Sequence, residues 1–266
     1  MNSDLHSKGV ALVTGASAGI GAIYADRLAK RGHDLILVAR DVAKLAAVAE
    51  HIRTTTGRQV ELLPADLSAR SDLLRVEQRL QSDERITLLV NNAGIGATQP
   101  LVDSDVDWLD EMIQVNVTAL TRLTRAVAPG MIRRGGGAII NIASVVALAP
   151  DLLNGTYGGT KAFVLAFTQS LQHELGAHGI QVQAVLPGAT STNFWNVSGR
   201  PVEHLPSEIV MGAEEMVDAS LVGFDRRELV TIPALPDVAD WQRLESARLA
   251  LGPNLSRASA APRYQL

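Results

Sequence analysis

The sequence predicts an α/β fold, a doubly wound, parallel seven-stranded sheet with helices on both faces. Three observations lead there. Short runs rich in Val, Ile and Leu alternate strictly with longer segments of helical period, which is the pattern of βαβ units with right-handed crossovers. The strand runs, such as Asp34-Leu35-Ile36-Leu37-Val38, are apolar throughout, as in strands buried on both faces of a parallel sheet. The first run also passes straight into a glycine-rich turn and a helix, reading Thr14-Gly15-Ala16-Ser17-Ala18-Gly19-Ile20-Gly21.

Taken in order, strands are expected at 10–14, 35–39, 59–63, 86–90, 138–143, 180–186 and 229–232. Helices are expected at 20–31, 42–55, 71–82, 105–134, 156–178 and 213–227. Segment 191–212 has no clear period and contains Gly199, Pro201 and Pro206. It is long for a plain connection and reads as a lid. From Gly252 the chain is rich in Ser, Ala and Pro, and 252–266 reads as an extended tail, docked on a neighbour or frayed. With no repeat, low-complexity tract or linker, residues 1–266 read as a single domain.

The 266 residues are 47% hydrophobic, enough for a sizeable core, and the net charge of −4 makes no case for nucleic acid or an anionic membrane as partner. The absence of cysteine excludes disulfides, thiolate zinc sites and thiol catalysis and suits a cytoplasmic protein. The N-terminus has no basic stretch followed by an apolar core, so no signal peptide is expected. No apolar run approaches the length of a membrane span. His173 and His178 lack a carboxylate partner at metal spacing and fit a charge–dipole role at a helix end, so no metal site is expected.

Glycines after a first strand let the backbone turn sharply and approach a pyrophosphate, which the following helix N-terminus can bind. A βα turn without a ligand reads the same way, and the spacing G-x-x-x-G-x-G differs from the general dinucleotide fingerprint. Tyr157 and Lys161 are four apart in a helical segment and share a face. A lysine cation beside a phenol favours the phenolate and lowers its pKa, which would tune Tyr157 as a general acid/base. Ser144, at the end of a buried strand, can donate to a substrate carbonyl oxygen alongside Tyr157.

These stretches, taken together with Asp66-Leu67, Asn91-Asn92-Ala93-Gly94 and Pro187-Gly188, resemble in the right order the motifs of the short-chain dehydrogenase/reductase superfamily, compact single-domain type. The resemblance spans about residues 8 to 232 and implies a Rossmann-like fold with NADP(H), or NAD(H), as cofactor. It implies an oxidoreductase that interconverts a carbonyl and a secondary alcohol by hydride transfer. Ser144 would position the substrate and Tyr157 exchange the proton. Lys161 would bind the nicotinamide ribose, and Asn116 would hold a water linking that lysine to solvent. Gly15, Ser17, Gly19, Ile20 and Gly21 would form the cofactor loop. Asp66 would accept from the adenine amino group, and Leu67 would pack on the ring. Asn92, Ala93 and Gly94 would line the far side of the cleft. Pro187, Gly188, Thr190 and Thr192 would fix the carboxamide. Gly158-Gly159-Thr160 stands where Ser-Ala-Ser is more usual, and the two glycines suggest close backbone packing.

At the end of the second strand, where an NAD-preferring protein carries a carboxylate, this chain has Ala39 and then Arg40. A guanidinium there suits a 2′-phosphate, hence NADP(H). A register one residue longer would make Asp41 the ribose carboxylate and favour NAD(H). The small-molecule substrate is expected to be partly apolar, because Val145-Val146-Ala147-Leu148-Ala149 follows Ser144 and the lid offers Phe194, Trp195, Val197 and Met211. The resemblance implies a homo-oligomer, a dimer or tetramer. The helices at 105–134 and 156–178 would form the contact, through Leu120, Leu123, Val127, Phe163, Phe167 and Leu171. Two rivals stay open: C=C reduction or epimerisation on the same scaffold, and a regulatory protein that binds cofactor without turnover.

Overall fold

The computed structural model describes residues 8–192, 194–198 and 201–264. Strands β1 (Val10–Thr14), β2 (Asp34–Ala39), β3 (Val60–Pro64), β4 (Ile86–Asn91), β5 (Gly137–Ile142) and β6 (Ile180–Val185) join a short strand from 230 to 231 in one sheet. Between β6 and that last strand lie two dipeptide strands, β7 (Thr190–Ser191) and β8 (Met211–Gly212), so it is β9 (Val230–Thr231). The sheet order is β3-β2-β1-β4-β5-β6-β9, and every pairing is parallel. The order reverses between β1 and β4, which opens a crevice beyond their C-terminal ends. All seven strands expected from the sequence are present, with ends shifted by no more than a few residues.

Alternate strand residues feed two cores, as a sheet covered on both faces requires. Val10 and Leu12 of β1 pack on α3 (Arg70–Ser82), α5 (Leu120–Arg134) and α6 (Gly155–Leu175). Ala11 and Val13 pack on α1 (Gly19–Lys30), α2 (Val42–Thr56) and α8 (Ala213–Asp225). The long helix expected at 105–134 runs unbroken from Val106 to Arg134 but is not regular throughout. It is α4 (Val106–Ile113), a π-helical stretch Gln114–Ala119 containing Asn116, and then α5.

Segment 191–212 is more regular than its composition suggests. β7 pairs with β8 in a two-stranded ribbon, which ties the two ends of the segment together. Between them sits the short helix α7 (Phe194–Val197). Gly199, the side chain of Val197 and the N-terminal residues 1–7 lie outside the described residues.

The chain divides into two compact units, Met1–Pro233 and Ala234–Leu266, where the sequence reads as one domain. The first holds the whole sheet and both cores. The second contains a helix missed in the sequence, α9 (Val238–Ala250), capped by Asp237, which accepts from the Ala239 N–H. None of its residues is buried, so its apolar positions carry no single-face pattern for periodicity to detect. Past it, short 3-10 turns at Gly252–Asn254 and Pro262–Tyr264 interrupt the tail.

Candidate active site

The crevice between β1 and β4 is closed by one threonine. Thr14 Oγ1 donates to the Val90 carbonyl and accepts from the N–H groups of Asn92 and Ala93. Asn92 Nδ2 returns a bond to the Thr14 carbonyl at 2.8 Å. This lashes the 92–94 turn to the glycine loop at close range. Gly15 has φ +66°, and a Cβ there would sit 2.7 Å from Asn92 Nδ2. A Cβ on Gly21 would fall on the Gly15 carbonyl oxygen. Only glycine fits either place. The loop then feeds α1, whose N-cap Ala18 offers no side-chain acceptor, so the first N–H groups of that helix have no side-chain cap. Ser17 is half-buried in this loop, and Ile20 packs on the α1-face core. Thr192 meets the same loop from across the crevice, its methyl 3.3 Å from where a Cβ of Gly19 would stand. The stretch leading to it is anchored. Pro187 is buried and its carbonyl accepts from Val145 N–H, while Thr190 Oγ1 donates to the Gly188 carbonyl.

At the far end of the crevice β2 stops at Ala39, paired with Pro64, which settles the register. Asp41 is the N-cap of α2 and its carboxylate accepts from Lys44 N–H at 3.0 Å. Arg40 is exposed and lies 3.5 Å from Glu111 and 3.9 Å from Asp66. Asp66 Oδ1 also accepts from the N–H and hydroxyl of Ser68. Leu67 is buried in the α5-face core.

Ser144, Tyr157 and Lys161, with the amide of Asn116 beside them, converge at the C-terminal ends of β4 and β5. Tyr157 and Lys161 lie one turn apart on α6 and are both buried. The Lys161 ammonium donates to the Ile142 carbonyl at 2.9 Å and sits 5.8 Å from the Tyr157 ring centroid. Burial lowers its pKa to about 8. For Tyr157 the direction differs from the sequence expectation. Burial pushes its phenol above the ordinary value, a hydrogen bond with Ser144 works the other way, and desolvation wins. Ser144 caps the short turn Val145–Ala147 and donates to the Pro187 carbonyl at 3.4 Å.

Asn116 is buried in the π-helical stretch. Its Oδ1 accepts from Ile95 N–H, and its Nδ2 donates to the Ile95 carbonyl and to Thr160 Oγ1. It therefore clamps a neighbouring segment rather than its own backbone. A Cβ on Gly94 would lie 3.2 Å from Asn116 Oδ1 and 3.4 Å from Lys161 Nζ, so both groups face the same bare backbone. Thr160, which sequence reasoning passed over, links Asn116 to the Tyr157 carbonyl. The close packing expected of the two glycines is absent: a Cβ on Gly158 would make only ordinary contact with Pro150, and one on Gly159 would meet nothing.

The walls around Tyr157 are apolar. Ile95, Ala97, Leu109, Met112 and Val146 pack with it, and Trp108, Leu153 and Phe194 close the cluster. Of the expected lining residues, Val146 and Phe194 are in place. Trp195 is instead buried with its indole N–H on the Thr190 carbonyl, and Met211 packs on the α1-face core. α4 and the 95–97 segment were missed as walls, because periodicity places a residue on a helix face without saying what that face meets. Among the described residues no group of His, Cys, Asp or Glu could hold a metal ion.

A family model described as short chain dehydrogenase matches residues 9–201. The chain belongs to the short-chain dehydrogenase family. Within that family it is similar to a solved short-chain dehydrogenase from Sphingobium yanoikuyae in complex with NADPH, at 51% identity and a TM-score of 0.94, covering 97% of this chain and 100% of that one. It is also similar to a bulky-bulky ketone specific alcohol dehydrogenase from Comamonas testosteroni, at 45% identity and a TM-score of 0.90, covering 97% and 99%. Among curated short-chain dehydrogenase relatives, a very-long-chain 3-oxoacyl-CoA reductase of Anas platyrhynchos is 39% identical over 193 residues, 71% of this chain and 62% of that protein. The chain thus spans less than two thirds of that relative's length.

Proposed function

We propose that this protein is an NADP(H)-dependent oxidoreductase that interconverts a bulky, partly apolar ketone and its secondary alcohol. The observation that carries the reading is the convergence of Ser144, Tyr157 and Lys161 at one end of the crevice, inside an apolar cluster. The relatives solved with NADPH and named for bulky ketones support it.

The glycine cradle fits a dinucleotide, since Gly15 and Gly21 leave bare backbone where any side chain would intrude. In this reading Gly15, Ser17, Gly19, Ile20 and Gly21 hold the pyrophosphate, Asn92 to Gly94 line the adenosine side, and Pro187 to Thr192 hold the nicotinamide end. Asp66 takes the adenine amino group, and Arg40 takes the 2′-phosphate in a charge-assisted contact. Bound NADPH supplies the hydride. The chain's residues do the rest. Ser144 donates to the substrate oxygen, and Tyr157 gives it a proton as charge develops there. A phenol held protonated by burial suits the reductive direction. Lys161 orients the nicotinamide ribose, and Asn116 holds the backbone opposite the lysine. The apolar cluster keeps water from the reacting oxygen and strengthens both polar contacts.

Phe163 and Phe167 of α6 stack at 5.5 Å, and Phe163 is exposed, which supports a homo-oligomer, dimer or tetramer; the absence of cysteine suits a cytoplasmic location. The other four residues expected at that contact, Leu120, Leu123, Val127 and Leu171, are buried in the chain's own core. No helix among the described residues is long and apolar enough to cross a membrane.

The test is NADPH oxidation with a panel of diaryl ketones, 3-oxoacyl thioesters, keto-steroids and keto-sugars. Turnover of bulky ketones is expected. Consumption only with keto-sugars would refute the bulky-ketone substrate, and none despite NADPH binding would refute the reaction and favour the non-catalytic rival.

A further inference from the structure

We propose that Asn154 is a positioning residue that registers Tyr157 to the wall of the substrate pocket. The inference rests on the reading of Tyr157 as the proton donor. Asn154 is 4% exposed, and both halves of its amide are fully used. Oδ1 accepts from Thr156 N–H at 2.9 Å and Tyr157 N–H at 3.3 Å. Nδ2 donates to the Gln99 carbonyl at 2.7 Å and to Ser104 Oγ at 3.2 Å. The Ser104 hydroxyl itself donates to the Pro100 carbonyl at 2.9 Å. It therefore presents a lone pair to the amide, and only this orientation of Asn154 satisfies all four partners.

The two halves do different work. Capping α6 needs only an acceptor, and Ser, Thr or Asp would supply one. The donor half is surplus to the cap and reaches a separate loop. That loop runs from Gln99 through Ser104 into Asp105, the N-cap of α4. α4 carries Trp108, Leu109 and Met112 against Tyr157, and Ile95 and Ala97 lie just before the loop. One buried side chain thus fixes the first turn of the acid/base helix on one side and the facing wall on the other. The distance between the proton donor and the surface that orients the ketone depends on it.

Two substitutions separate the halves. Asn154→Asp keeps the cap, with a charge that favours a helix N-terminus, but sets a carboxylate oxygen against the Gln99 carbonyl. Asn154→Ala removes both halves. For Asn154→Asp the KM for a bulky ketone is expected to rise about tenfold, with kcat and the Kd for NADPH changed by less than about threefold. For Asn154→Ala kcat should fall as well. Hydrogen exchange followed by mass spectrometry reads the same coupling without turnover. In the Asp variant residues 97–112 should exchange faster while 155–161 stay protected, and in the Ala variant both segments should open.

Unchanged KM together with unchanged exchange at 97–112 in the Asp variant would overturn the proposal. So would a lower melting temperature in the Ala variant with the Asp variant matching wild type in melting temperature, KM and exchange, which is what a plain helix cap predicts. Should the wild type reduce no ketone at all, the reaction assignment fails, and the exchange pattern still decides whether Asn154 ties the two segments together.

Discussion

Tyr157 and Lys161 show how one buried environment acts oppositely on an acid and a base. Desolvation raises the phenol and lowers the ammonium, because each loses water around its charged form. Tyr157→Phe removes one oxygen and leaves the ring packed against Val146 and Phe194. It should reduce turnover about 10²–10⁴-fold while NADPH still binds, and substantial activity in the purified variant would end the assignment. For Lys161 the folded pKa is about 8 against an ordinary 10.5. Between those values the unfolded chain holds a proton that the folded protein has released, so this group makes stability rise with pH across that window. Below it both states are protonated, and the folded one bears the full cost of burying the charge. Lys161→Met should flatten the dependence of Tm on pH from 8 to 10.5, a slope matching wild type being the contrary result. At the opposite end of the crevice, Arg40→Ala should raise the KM for NADPH well above its effect on NADH. A wild type that used NADH as well as NADPH would instead return the decision to Asp41.

Local conformation at the level of elements decides whether those residues meet. The π-helical stretch Gln114–Ala119 lies inside an otherwise regular helical region and carries the Asn116 amide that binds both backbone groups of Ile95. Such insertions often mark functional sites. Asn116→Ala would strand two buried backbone groups and the Thr160 hydroxyl partner, at about 1–3 kcal/mol for each unsatisfied group. Thermal unfolding should show a Tm lower by several degrees, with activity lost beyond what the stability change explains. A variant that melts and turns over like wild type would show the clamp to be dispensable. The β1–α1 turn is less tolerant still. Gly21→Ala places a methyl on the Gly15 carbonyl, and calorimetry should find NADPH binding lost while the circular dichroism of the fold persists.

The whole chain is organised around a sheet that is complete by Thr231. Both cores draw only on residues up to Leu229, and the second unit begins at Ala234. A chain ending at Pro233 is therefore expected to fold cooperatively and to bind NADPH, as a single sharp melting transition with a ligand-induced shift would show. A protein that fails to fold without residues 234–266 would mean that they complete a core rather than extend one. Assembly is tested separately by light scattering, where a dimer or tetramer at micromolar concentration is expected and a monomer would contradict the proposed oligomer.

Much of this was legible in the order of residues alone. Apolar runs and helical periods are local signals set by burial, so the seven strands, their parallel sense and six of the helical segments could be read directly. Gly15, Gly21, Tyr157 and Lys161 could be singled out because short motifs carry them, a glycine-rich turn after a strand and a Tyr-x-x-x-Lys pair on one helix face. What periodicity could not supply is anything that depends on contact between distant segments. The π-helical widening of one long helix around Asn116 is such a case, since an amide held by Ile95 has no local mark. So are the roles of Thr160 and Asn154, although Asn154 sits where a cap before Gly155 belongs. The direction of the Tyr157 shift was misread for the same reason. Spacing puts a lysine near the phenol, but how far water is excluded from both is a property of the packed walls, and only the tertiary structure builds those.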